Sequence, residues 1–233
     1  KMLDFACAVA KPGMSTEDVD ALVFDEIIRH NAYPSPINYA KFPKSICTSV
    51  NEVICHGIPD SRVLQAGDIL SIDVSVYLNG YHGDNCKTIL VGEDDELTSD
   101  DDIRAKKLIH TNKNDLDLAI QECYPGNCLS KIGAVIEKEA KRNGYDVVSH
   151  FCGHGVGHLM HMKPFVLHHK NNAKMTLKPG MVFTIEPIFV EGSEDLVLWD
   201  DGWSAATADD SRGSQFEHEI LVTKDGPEIL TLA

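Results

Sequence analysis

Five residues of types that can hold divalent cations fall where a strand is expected to run or end: Asp73, Asp84, His154, Glu186 and Glu217. Four carboxylates and one imidazole make an oxygen-rich set that suits first-row ions such as Co, Mn, Fe or Zn. Four negative charges would balance two such ions, whose usual separation of about 3.5–4 Å calls for shared carboxylates. Each residue also has a plainer reading on its own. The two aspartates could be a solvated hairpin face, His154 a structural histidine between glycines, and Glu217 an exposed acid beside Glu219.

Spacing weighs against the plainer reading. Residues 64–84, LQAGDILSIDVSVYLNGYHGD, predict a β-hairpin that turns at Asn79-Gly80. With a two-residue turn, Ser75 faces Asp84 and Asp73 faces Cys86. Asp73 and Asp84 are then diagonal neighbours on one face, with Cα atoms about 7–8 Å apart. Two carboxylates aimed at one spot repel unless a cation lies between them.

The same pattern returns 113 residues later, where LKPGMVFTIE (177–186) matches LQAGDILSID (64–73) and Glu186 stands for Asp73. Pro12-Gly13 and Pro125-Gly126 share that offset, each followed by a helical pattern. The helices end at Asn31-Ala32-Tyr33 and Asn143-Gly144-Tyr145, which implies one residue lost between the copies. The chain therefore reads as two related halves, about 1–97 and 115–233, each presenting a carboxylate strand to a shared centre. Because both halves build one site, 1–233 is expected to form a single catalytic domain.

The elements that position these residues follow from periodicity. Helices are expected over 1–10, 16–30 (capped by Ser15 or Thr16), 103–122 and 129–142. Strands are expected over 45–56, interrupted near Asn51-Glu52, over 147–151, over 181–186 with Pro187 ending it, and over 215–223 as the closing strand. Residues 32–43, the acidic 92–102 and the acidic 191–201 read as loops.

Composition excludes several classes. A net charge of −15 opposes binding to nucleic acid or an anionic membrane through a basic surface. Seven cysteines without paired spacing suit free, mostly buried thiols in a reducing compartment. No apolar run approaches the roughly 20 residues of a membrane span. Lys1 falls inside a helical pattern, so the natural N-terminus, with any targeting segment, is expected to lie upstream.

Together the segments FPKSICTSVNEVICHGIPD, DILSIDVSVYLNGYHGDNCKTILVG, HFCGHGVG, LKPGMVFTIEP, DGW and QFEHEILVT closely resemble the type I methionine aminopeptidases. The resemblance runs from Phe42 to Thr223. Only 62 residues separate His154 from Glu217, which leaves no room for the insertion of type II members. It implies an α+β pita-bread fold, with pseudo-twofold halves of antiparallel strands covered by helices and a dinuclear metal site at the centre. It implies Asp73, Asp84, His154, Glu186 and Glu217 as ligands of two divalent ions, with Asp84 and Glu217 bridging. Glu186 is the implied general base, His161 steadies the oxyanion, and His56 holds the next residue's amide. Tyr39, Phe42, Cys47, Met160 and Trp203 would form the methionine pocket, with Met160 at a position where an aromatic is common. Backbone carbonyls of Asn51, Val53 and Gly213 would hold a monovalent cation, although 212–215 reads RGSQ where the family more usually has RSAQ.

The implied activity is removal of the initiator methionine from nascent chains, met free or at the ribosome, by a monomer of the cytoplasm or of an organelle (mitochondrion or plastid). Two rivals are a proline-directed relative of the prolidase type and a non-catalytic module of the same fold. His158, His168 and His169 match nothing catalytic and are expected at the surface.

Overall fold

The computed structural model describes residues 1–93 and 96–232; Asp94 and Asp95, in the predicted acidic loop, lie outside the described residues. In chain order the elements are α1 Met2–Val9, α2 Thr16–Arg29, β1 Tyr33–Pro34, β2 Cys47–Val50, β3 Val53–Cys55, β4 Ile69–Leu78, β5 Tyr81–Leu90, α3 Asp100–Ile120, α4 Ser130–Asn143 and β6 Asp146–Val147. They continue with β7 Cys152–Gly155, β8 Met162–Leu167, β9 Val182–Ile185, β10 Ile188–Val190, β11 Leu196–Leu198, β12 Ala205–Thr207, β13 Gly213–Gln215, β14 His218–Val222 and β15 Pro227–Ile229. No described helix is long and apolar enough to cross a membrane. The seven cysteines are free, with Cys47, Cys55, Cys86 and Cys123 buried.

The hairpin of β4 and β5 has the expected register: Asp73 faces Cys86 and Ser75 faces Asp84. β2 pairs with the other edge of β4, so Cys47 also lies opposite Asp73. The apolar stripe of α2 (Val19, Val23, Ile27) joins Leu3 and Ala6 of α1 over Leu70, Ile72 and Val74 of β4. A second core sets Ile132, Ile136 and Ala140 of α4 and Leu108 and Leu116 of α3 against Phe183, Ile185 and Phe189. Ser15 caps α2 in a reciprocal box with Asp18, satisfying two helix-end donors at once.

The repeat is visible in individual bonds. Gly13 N–H donates to Leu64 O at 2.8 Å, and Gly126 N–H to Leu177 O at 3.0 Å. Bridges Ser15–Val63 and Cys128–Thr176 follow the same offset. Pro34 of β1 faces Val76, as Val147 of β6 faces Phe189. That last pair corrects the expectation of a lost residue. The helices are stopped by the left-handed residues Asn31 (φ 58°) and Gly144 (φ 84°), which are themselves 113 apart. The matching Asn-X-Tyr triplets are one position out of structural step.

Other boundaries differ from the pattern. β9 ends before Pro187 as expected, yet β10 starts directly after it and keeps the register, pairing with β13 as β9 pairs with β14. Of the strand expected over 147–151 only Val147 lies in one, at the end of β6, and the next strand, β7, begins beyond it at Cys152; the 191–201 loop contains β11. β14 does not close the sheet, since β15 pairs with it. Short β1 and a single 3-10 turn at Tyr39–Lys41 order the proline-rich 32–43 stretch.

Gly13 and Gly126 each hold φ +90° with open space where a Cβ would lie. Replacing either by Ala should therefore cost only the left-handed penalty, about 1–2 kcal/mol. Denaturant unfolding of the two single variants and the double should give equal, additive losses. Strongly unequal losses would show that the two turns are not equivalent.

Candidate metal centre and the cavity beside it

One cavity of about 300 Å³ collects all five predicted ligands. Asp73 points in from β4, Asp84 from β5, His154 from β7, Glu186 from just past β9, and Glu217 from between β13 and β14. Ligand atoms of Asp84, His154 and Glu217 lie within 4.8 Å of one another. His154 Nε2 is 3.7 Å from Asp84 Oδ2 and 3.5 Å from Glu186 Oε1. His154 is set deep because its neighbour is glycine: a Cβ at Gly153 would fall 2.2 Å from Thr184 O.

The electrostatics call for a cation. The residues lining the cavity include no Lys or Arg. Burial, then the charges of Asp84 and Glu186, push Asp73 well above the usual carboxylate range. Burial, then the charges of Asp84, Glu186, Asp73 and Glu219, do the same to Glu217, while burial and Asp84 raise Glu186 to about 8. Asp84 is raised by burial, against the lowering effect of the Ser75 hydroxyl, which donates to its Oδ1 at 2.7 Å. Asp73 Oδ1 is buried without a hydrogen-bond partner. A buried orphan acceptor among four converging acids fits divalent cations, which would favour the charged form of every one.

The other predicted residues line the same cavity: Tyr39, Phe42, Cys47, His56, Met160, His161 and Trp203. Phe42 and His56 both meet the Trp203 ring edge-on, at 5.2 and 5.7 Å between centroids. His161 meets His154 edge-on, with 4.1 Å between ring centroids, and its Nδ1 lies 2.6 Å from the Tyr39 hydroxyl. Desolvation by neighbouring groups lowers both His56 and His161 to about 4, so both rings are neutral at pH 7, although His161 keeps an exposed edge. His56 holds φ 54°, a left-handed conformation that costs a non-glycine residue about 1–2 kcal/mol. At the proposed monovalent site, Asn51 O accepts from Gly213 N–H at 3.0 Å. Val53 stands two residues beyond Asn51 in β3.

Some participants were missed by sequence reasoning. Pro36, His150, Phe151, Cys152 and Phe165 complete the cavity wall. The fully buried Thr184 hydroxyl donates to Glu186 Oε1 at 2.9 Å and accepts from His154 N–H at 3.0 Å, so it ties two predicted ligands together. The alignment of Thr184 with Ser71 in the repeat was its only signal. His168 corrects the surface expectation: it is 1% exposed, and its Nε2 accepts from Glu186 N–H at 3.1 Å. Tertiary packing alone buries it, and nothing in its local sequence marks it. His158 is exposed as expected, with Nδ1 2.8 Å from Gly80 O, and His169 is half-buried.

Residues 1–224 match the model of metallopeptidase family M24, and the chain belongs to that family. Within it the chain is similar to methionine aminopeptidases. The chloroplastic/mitochondrial methionine aminopeptidase 1D of Arabidopsis thaliana is 51% identical over 231 residues, which is 99% of this chain and 64% of that protein. The mitochondrial methionine aminopeptidase 1D of Homo sapiens is 50% identical over 221 residues, 95% of this chain and 64% of that protein. The chain thus spans a little under two thirds of these curated relatives. The crystal structure of methionine aminopeptidase from Rickettsia prowazekii superimposes with a TM-score of 0.94 at 43% identity, covering 99% of this chain and 91% of that one. The pita-bread expectation is met: antiparallel sheets covered by helices surround a central group of potential metal ligands.

Thr184→Val keeps the shape of that side chain while removing both bonds. It leaves the buried His154 N–H without an acceptor, which costs about 1–3 kcal/mol. Co²⁺ affinity, measured by calorimetry on metal-stripped protein, should fall about 10–100-fold, as is usual when a partner of a ligand is lost. Native affinity in a folded Thr184→Val variant would remove Thr184 from the centre's support.

Proposed function

We propose that this chain is a methionyl aminopeptidase, which hydrolyses the bond after an N-terminal initiator methionine when the second residue is small. One observation carries this reading: the five candidate ligands open directly onto an apolar wall of Tyr39, Phe42, Met160 and Trp203 in a single cavity. An unbranched, polarizable thioether suits such a wall. The names of the relatives support the same activity.

In this reading Asp73, Asp84, His154, Glu186 and Glu217 hold two divalent ions (Co, Mn, Fe or Zn). When bound, those ions would supply Lewis acidity and bring the pKa of a water toward neutrality. Glu186 acts as general base and takes the proton of the attacking water. Thr184 fixes Oε1 of that carboxylate, and Gln215 Nε2 approaches its Oε2 at 3.5 Å. His161 steadies the oxyanion. If the Tyr39 hydroxyl donates to Nδ1, the neutral ring must carry its proton on Nε2, the tautomer an oxyanion needs. His56 holds the scissile amide, and its strained backbone at the end of β3 is consistent with a position set by function. The substrate's free amine binds near Asp73, which makes the enzyme an exopeptidase. Asn51, Val53 and Gly213 offer carbonyls to a monovalent cation.

Residues 1–233 act as one catalytic unit of two halves, about 1–97 and 115–233. Its partners are nascent chains, at the ribosome or free, and it works as a monomer. The net charge of −15 argues against direct nucleic-acid or membrane binding. Cytoplasm and organelle both fit; the chloroplastic and mitochondrial relatives favour an organelle.

Peptide kinetics test the reading. Met-Ala-Ser should be cleaved with added Co²⁺ or Mn²⁺ and resist cleavage after chelation, while Met-Phe, Leu-Ala, Lys-Ala and Ala-Pro peptides should be poor substrates. His154→Ala should lose metal as well as rate. His161→Ala should keep its metal and lose about 10²–10³-fold in kcat, the usual result of removing an oxyanion donor, and His56→Ala should also keep its metal. Equal rates on Leu- and Lys-initiated peptides would contradict the substrate assignment. Metal loss in His161→Ala with retention in His154→Ala would reverse the histidine roles.

A further inference from the structure

Glu186 and Glu217 stand directly opposite each other in one antiparallel register, since Ile185 faces His218 and Ile188 faces Gln215. At that point the ladder is open. Glu186 N–H donates to His168 Nε2 and Glu217 N–H donates to Cys86 O, so neither amide crosses to the facing strand. Pro187 has no N–H to give. Carbonyls beside the gap must find donors elsewhere.

Helix α3 provides one. Asn112 is fully buried, and its Nδ2 donates to Pro187 O at 3.0 Å and to Ser214 O, with Ser214 Oγ at 3.5 Å. Two facing carbonyls leave only one orientation for the amide, with NH₂ toward the gap. Asn112 Oδ1 is then left buried without a hydrogen-bond partner. Leaving an acceptor unsatisfied is unfavourable, and a leucine would fill the space between α3 and the strands without it. The amide donor is the part of this side chain that does something a leucine would not.

We propose that Asn112 is a positioning residue for the metal centre, tying Pro187 to Ser214 and so fixing the spread between the Glu186 and Glu217 carboxylates. It lies outside the cavity wall and acts only through those two strand ends. The inference rests on the aminopeptidase reading for its effect on rate, but its effect on cation binding does not depend on substrate.

The test compares the whole chain with its Asn112→Leu variant, metal-stripped and then titrated with Co²⁺ alone. The variant should bind Co²⁺ about tenfold more weakly and show a changed visible Co²⁺ spectrum. On Met-Ala-Ser its kcat should fall about 10–100-fold, the range usual for residues that orient ligands, while KM changes little. A variant with a lower Tm but native Co²⁺ affinity, spectrum and kcat would make Asn112 merely structural and overturn the proposal. If the variant does not fold, the native chain decides by NMR. The Asn112 side-chain NH₂ resonances should exchange slowly and move when Zn²⁺ is added; fast exchange or indifference to Zn²⁺ would overturn it. A native chain that binds Co²⁺ yet leaves Met-Ala-Ser intact would sink the aminopeptidase reading instead, and the Co²⁺ affinity and spectrum would still judge Asn112.

Discussion

Four carboxylates converge on one cavity whose lining contains no lysine or arginine. Each like-charged pair at about 4 Å repels by about 4 kcal/mol at an effective dielectric constant near 20. The fold has to bring these groups together against that repulsion, from strands far apart in the chain. It does so with rigid ladders: ten paired positions in β4–β5 and a second hairpin-like pair in β9–β14. Bound cations would turn the repulsion into cohesion. A site of this kind is a charge hole that the protein's own framework holds open.

The framework is duplicated, but the chemistry on it is not. Asp73 and Glu186 occupy matching places 113 residues apart, and so do the turns, bridges and short strands around them. The residues facing them differ. Cys86 lies opposite Asp73, where Glu217 lies opposite Glu186. The first ladder runs unbroken, whereas the second opens at Glu186 and Glu217, and the two amides turn to His168 and Cys86. The Cys86 carbonyl belongs to the first half, so this bond also joins the halves at the centre. A duplicated frame thus yields an asymmetric set of candidate ligands.

On the other side of the cavity the environment changes from charged to apolar and aromatic. Desolvation by the cavity wall lowers His56 and His161 to about 4, so neither ring adds positive charge at pH 7. Their rings are held by Trp203, Phe151 and Tyr39. The candidate metal ligands and the apolar wall therefore meet inside one cavity.

Much of this was legible in the chain itself. Asn79-Gly80 sets a two-residue turn, and that turn forces the register that places Asp84 diagonal to Asp73, because strand side chains alternate with period two. The 113-residue offset exposed the second carboxylate strand for the same local reason: identical patterns make identical turns. Sequence could not show that Pro187 leaves β9 and β10 in one register, since a proline removes a donor whether or not a strand resumes beyond it. It misplaced the helix ends by one residue, because a left-handed stop can be asparagine in one copy and glycine in the other. It also put His168 at the surface and left Asn112 and Thr184 unassigned. The value of those side chains lies in bonds to backbone and carboxylate groups 18, 75 and 2 residues away. Local pattern specified the strands and the candidate ligand types; only packing decided which buried polar groups bond to those residues, because a hydrogen bond across a core has no sequence period.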